Sequence, residues 1–205
     1  MNVLGNGLIS ANHPDAVTVK ETELSTLQRL GAPEEDILAT QGNLATTYRL
    51  LGRYEQALQI ERDVYSGWLK LDGEEGLNTL IGANNYASYL HHMKRFEEAR
   101  WLLRKTMPVA RRVLGDNHEM TLKMRWIYAR VLYLDEGASL DDRREAVATL
   151  ESVAHSWKRI FGPAHPETPK AEEALKYARE ALAASLAVRE YLEYLAPPAR
   201  HRRDA

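Results

Sequence analysis

The sequence predicts an all-α protein, an α-solenoid of stacked antiparallel helix pairs. Three observations carry that expectation. Short blocks of sequence return at a fixed period of 42 residues. Within each block the apolar positions fall at helical spacing, marking one buried face per segment. The composition is rich in Ala, Leu, Glu and Arg, and of eight prolines only Pro108 lies inside a helical pattern.

The repeat has several independent landmarks. Asn43-Leu44-Ala45 returns as Asn85-Tyr86-Ala87, and Gly52-Arg53-Tyr54-Glu55-Gln56-Ala57 as Lys94-Arg95-Phe96-Glu97-Glu98-Ala99. Gly73-Glu74-Glu75-Gly76-Leu77-Asn78-Thr79 returns as Gly115-Asp116-Asn117-His118-Glu119-Met120-Thr121. A third copy of that joint, from Gly162 to Thr168, is displaced by 47 residues rather than 42. The five extra residues fit an enlarged polar turn between Asp135 and Asp142. A period of this length is the signature of a repeat architecture in which each unit lacks a core of its own.

The elements follow in order. Residues 1–14 form an amino-terminal extension, and 15–30 read as the second helix of a half-unit ending at Gly31. Full units are expected over 35–72, 77–114 and 119–161. In the second, Leu80, Ala83, Tyr86, Ala87 and Leu90 mark the first helix. Phe96, Ala99, Leu102, Leu103, Val109, Ala110 and Val113 mark the second, which Pro108 should bend. Gly31, Gly73, Gly115 and Gly162 stand where a left-handed residue ends a helix. Thr79, Thr121 and Thr168 stand where a hydroxyl caps the next one. Ala45, Ala87 and Ala129 on the first helices, and Ala57, Ala99 and Ala146 on the second, are the places of close helix approach. Tyr54 and Phe96 are expected to fill the wedge between paired helices. Residues 168–195 read as a closing helix and 196–205 as a disordered basic tail.

An array that opens on a half-unit leaves an apolar edge to be covered. The extension before Asp15, a longer array or a second copy would each serve. The apolar end of the last helix, from Leu186 to Leu195, offers a second route to self-association.

Several function classes are excluded or disfavoured on composition. The 27 basic and 29 acidic side chains leave a net charge of −2, which gives no general attraction to nucleic acid or membranes. No apolar run approaches the length of a membrane span, and no basic-then-apolar leader opens the chain. The expected compartment is therefore cytoplasmic. The absence of cysteine removes disulfides and thiol chemistry. No glycine-rich phosphate loop, nucleophile elbow or zinc-protease motif occurs. His91 and His92 are adjacent and diverge by about 100° on a helix, so no metal site is expected. His118 and His165 occupy equivalent joint positions and read as loop-bracing side chains. The acidic runs Glu34-Glu35-Asp36 and Glu97-Glu98 open helices, where the dipole favours them. The expectation is a non-enzyme with no cofactor.

The patterns Asn43-Leu44-Ala45-x-x-Tyr48 and Gly52-Arg53-Tyr54-x-x-Ala57 resemble the tetratricopeptide repeat. The 42-residue period and the joint from Leu114 to Thr121 are similar to the kinesin-light-chain type of that repeat. Lys94 in place of the turn glycine, Ile127 in place of the asparagine and the five-residue insertion depart from the pattern. The resemblance implies a right-handed superhelical solenoid that binds protein or peptide partners on a concave face lined by the first helix of each pair. Carried onto this chain, that face takes Asn43 and Arg49, then Asn84, Asn85, Ser88 and His91, then Lys123, Trp126 and Arg130. Asn43 and Asn85 either bond the backbone of an extended peptide or brace neighbouring helices. Trp126 is either groove or core. Lys123 and Arg130 suit acidic side chains or a terminal carboxylate, so an acidic partner is the expectation.

Charge is uneven along the chain. From His91 to Arg130 ten basic residues accompany four acidic ones, whereas residues 1–40 hold two basic and six acidic. A solvated outer face is the plain reading of the basic middle. An RNA-binding scaffold and a self-assembling array are the alternatives to a protein-binding one.

Overall fold

The computed structural model describes residues 15–195; the expected amino-terminal extension and basic tail lie outside the described residues. Every regular element among them is a helix: α1 Asp15–Arg29, α2 Glu34–Leu50, α3 Tyr54–Asp72, α4 Leu77–His92, α5 Phe96–Leu114, α6 Glu119–Leu134, α7 Leu140–Phe161 and α8 Glu167–Leu195. They form two compact units, one through Val131 and one from Leu132. In the first unit each of α1 to α5 packs on its neighbour in sequence. The connecting turns are so short that neighbours run antiparallel. In the second unit α7 packs on α8.

The small residues set how closely the helices approach. Ala45, Ala57, Ala87, Ala99, Ala129 and Ala146 are all fully buried, as the repeat pattern requires. Gly82 extends this logic, because a Cβ there would stand 3.3 Å from the Tyr65 Cα on α3. Larger side chains fill the remaining space: Leu80, Leu103, Leu122 and Met124 in the first unit, Leu150 and Trp157 in the second.

The turns obey a stricter rule than a left-handed cap. Gly73, Gly115 and Gly162 have φ of 72°, 92° and 87° with ψ of −178°, 159° and 165°. That combination lies beyond the left-handed helical region and is open to glycine alone. Inside the repeats the tighter turn has Gly52 at φ 74°, and Lys94 takes the equivalent place at φ 57°. Lys94 therefore carries a backbone strain that glycine would not.

The joint threonines do not cap helices, contrary to expectation. Thr121 donates its hydroxyl back to the Ala110 carbonyl, and Thr168 to the Gly162 carbonyl at 2.9 Å. Both hydroxyls are turned toward the preceding helix and joint. The helix-start amides are met by the joint histidines instead. His118 Nδ1 accepts from the Met120 amide at 3.2 Å, and His165 Nδ1 from the Glu167 amide at 3.3 Å. In the enlarged turn, Ser139 and Asp142 form a reciprocal capping box that starts α7. Pro108 does not interrupt α5. Tyr54 is 39% exposed and stacks on His92 of the next repeat, its ring centroid 6.4 Å away, so it does not fill an internal wedge.

The basic middle is largely paired. Lys105 meets Glu74 at 3.1 Å and Arg112 meets Glu75 at 2.8 Å, tying α5 to the joint before α4. Arg95, Arg111 and Lys123 are held by Glu98, Asp116 and Glu119. These exposed pairs contribute little stability each. They do dissipate a patch that the sequence counts as strongly positive. In α8, Ala171, Ala174 and Ala178 are buried, while Val188, Tyr191, Leu192, Tyr194 and Leu195 near its end are exposed.

Candidate functional site

The first helices α2, α4 and α6 carry all nine residues singled out for a groove. Their local fold explains the presentation: each helix buries a stripe containing Ala45, Ala87 or Ala129, leaving the flank beside that stripe for polar groups. Asn43 is exposed, and Arg49, Asn85, Ser88, Lys123, Trp126 and Arg130 are half-buried. Asn84 and His91 are buried. Neither Asn84 Oδ1 nor His91 Nε2 has a hydrogen-bond partner among the described residues.

These residues gather in two places. On α2 and α4, Asn43 and Asn85 line one recess of about 230 Å³, together with Gly42, Thr46, Glu61 and Trp68. Further along, the Arg130 guanidinium lies over the Trp126 ring at 4.6 Å from its centroid. Lys123 is 2.6 Å from Glu119 on its own helix. Arg49 and Thr46 hydrogen-bond with the Tyr89 phenol. Burial pushes the pKa of that phenol up, with the nearby Glu61 charge adding to the effect.

The histidines of α4 respond to this setting. His91 is pushed down to about 3, first by burial and then by the positive charges of Arg130 and His92. His92 is lowered by burial, then by Arg130 and Arg49. At neutral pH the His91 ring is therefore uncharged and offers neutral hydrogen-bonding chemistry.

Glu61 on α3 is the functional candidate that sequence reading missed. It is 1% exposed, and neither carboxylate oxygen has a hydrogen-bond partner among the described residues. Burial alone pushes its carboxyl up to about 8. A signal did exist: Glu61 breaks an apolar stripe of Ala57, Leu58, Val64 and Trp68, and the residue 42 positions on is Leu103.

Comparison with known proteins follows the same lines. The family model described as the tetratricopeptide repeat matches residues 37–71 and 79–119. A crystal structure of the nearly identical TPR-like repeats of a candidate kinesin light chain from Podosopora anserina superposes with a TM-score of 0.71 at 21% identity. It covers 93% of this chain and 89% of that one. A single-substitution variant of the same repeats gives 0.73 with the same identity and coverage. BtubC (BKLC) from P. vanneervenii gives 0.57 at 16% identity, covering 93% of this chain and 78% of that one. No curated protein sequence matches. Tetratricopeptide repeats generally mediate protein–protein interaction. The period, the buried alanines and the superpositions converge on an all-α solenoid like that of the kinesin-light-chain-like repeats, and residues 37–71 and 79–119 of it match the tetratricopeptide repeat.

Proposed function

We propose that the chain is a non-catalytic scaffold that binds an extended peptide segment of a protein partner along α2, α4 and α6 of its first unit. The observation that carries this reading is the shared recess of Asn43 and Asn85. Two amides from successive repeats there face the same space, each offering a donor and an acceptor to a peptide backbone. Arg49, Ser88 and Trp126, all half-buried, supply further polar or aromatic contacts along these helices, whereas Asn84 and His91 are buried and are not offered to the segment. Lys123 and Arg130 supply positive charge for acidic side chains of the segment. Lys123 exchanges its Glu119 partner for the ligand on binding. The ion pairing of the basic middle favours a protein partner over RNA, which needs unpaired cations facing the phosphates.

The test is selection of peptides from a displayed random library on the full chain. Lys123→Glu with Arg130→Glu is expected to weaken the selected peptides at least about tenfold, the loss of one charge-assisted contact. Circular dichroism should be unchanged. Peptides that bind the double variant with undiminished affinity would overturn the role of this pair. Asn43→Ala with Asn85→Ala probes the backbone clamp in the same assay.

A further inference from the structure

The recess between α2, α3 and α4 holds a carboxyl group that the fold does not need. Glu61 lines it, fully buried, with both oxygens unpartnered among the described residues. Burying such a group without a hydrogen bond is costly. Leu103, 42 residues on, occupies the equivalent place in the next repeat with no exposure at all. A hydrophobic side chain therefore satisfies this position of the repeat, and packing does not call for an acid.

Two neighbours point to a ligand. Gly42 sits in the interior of α2, where glycine is less favourable than alanine. A Cβ added there meets nothing within 4 Å, so no packing contact demands the glycine. A bare backbone at the wall of the recess instead permits close approach by another chain. Trp68 lines the same recess and is 8% exposed. An indole face beside a carboxylate is a favourable setting for an organic cation.

We propose that this recess is a subsite for a cationic side chain, lysine or arginine, of the bound segment, paired by the Glu61 carboxylate beside the Trp68 ring. The proposal rests on the groove reading above and adds a charge preference to it. A cation in the recess and acidic side chains toward Lys123 and Arg130 would fix the direction in which the segment lies. Among the residues lining the recess Glu61 is the one that titrates. The other charged or titratable groups nearby are the Tyr89 phenol of α4, Arg49 of α2 bonded to it, and Asp72 of α3, which accepts from Asn78 at 3.2 Å. At neutral pH the buried carboxyl carries a proton, and pairing with a cation sends that proton to solvent. Affinity for a basic segment therefore rises as the pH rises toward about 8.

The experiment is the same displayed library, selected in parallel on the unmodified chain, Glu61→Gln and Gly42→Leu. The expected result is enrichment of lysine or arginine at one peptide position on the unmodified chain, lost on Glu61→Gln. Gly42→Leu, which fills the recess, should lose the same preference with unchanged circular dichroism. Resynthesising one selected peptide with lysine, arginine or norleucine at that position separates the two cations from a merely apolar fit. Calorimetry from about pH 6 to about pH 8 should show affinity rising by up to about tenfold per pH unit for the cationic peptide. The profile of Glu61→Gln should be flat. Selected peptides that depend on Asn43 and Asn85 but show no basic preference would overturn this proposal while leaving the groove reading standing. A basic preference that survives Glu61→Gln would overturn it too. Absence of any selected peptide would remove both.

Discussion

Successive repeats of the first unit place different chemistry on one backbone pattern. Around α3, the positions Gly42, Glu61, Trp68 and Gly82 leave a polar recess with an unpaired carboxyl. Forty-two residues on, the same positions read Asn84, Leu103, Ala110 and Met124, all buried and three of them apolar. Trp68 becomes a small alanine, Gly82 becomes a methionine that fills space, and the acid becomes a leucine. The repeat framework therefore tolerates either a packed core or a recess at one register. The recess is the costlier of the two arrangements, because it buries a carboxyl without a hydrogen-bond partner among the described residues where the next repeat packs a leucine.

Exchanging residues between the two places gives the largest expected effects. Leu103→Glu puts a carboxyl among fully buried side chains with no recess to receive it. It should cost about 4 kcal/mol or more, read as a lower urea midpoint. The reverse change, Glu61→Leu, should stabilise by roughly 2–4 kcal/mol at pH 8. That gain should shrink in mild acid, and failure to gain at pH 8 would show that Glu61 is satisfied in the folded state.

The pH profile sharpens the same comparison. Glu61 keeps its proton up to about pH 8 when folded but loses it near its ordinary value of 4.5 when unfolded. Its contribution to stability is thus complete below 4.5 and is lost as pH rises to about 8. His91 is neutral down to about pH 3 when folded but takes a proton near 6.5 when unfolded. Its contribution is complete above 6.5 and is lost as pH falls to about 3. The two slopes oppose each other between 4.5 and 6.5, so these groups predict a plateau there with decline on either side. Urea titrations from about pH 3 to about pH 8 check it, and Glu61→Gln should remove the alkaline decline and turn the plateau into a continued rise up to about pH 6.5, where the His91 slope stands unopposed.

Smaller effects come from the backbone. Lys94→Gly relieves a left-handed residue at φ 57° and should stabilise by about 0.5–1 kcal/mol in thermal unfolding. The equivalent change Gly52→Lys, at φ 74°, should cost a similar amount.

Much of the architecture was legible from the chain. Period, helix pairing and the six fully buried alanines follow from spacing, because a helix pair without its own core must repeat its contact residues at the repeat length. The joint glycines were legible too, since a backbone turn of that kind excludes side chains. The caps were misread because threonine and histidine both stand near the helix start, and only their orientation tells which one accepts an amide. Asn43 and Asn85 were recognisable as a pair from their 42-residue separation. The pairing of the basic middle was not, because Glu74 and Glu75 lie more than thirty residues from Lys105 and Arg112 in the chain.

The amino-acid sequence by itself determined a solenoid of helix pairs, since local helix preference and periodic small residues specify how each pair meets the next. Only the tertiary structure decided that Glu61 is buried without a partner among the described residues and that Gly42 faces open space beside it. Those facts depend on side chains from three helices meeting at one point. Burial and charge are properties of that meeting, and no single segment contains it.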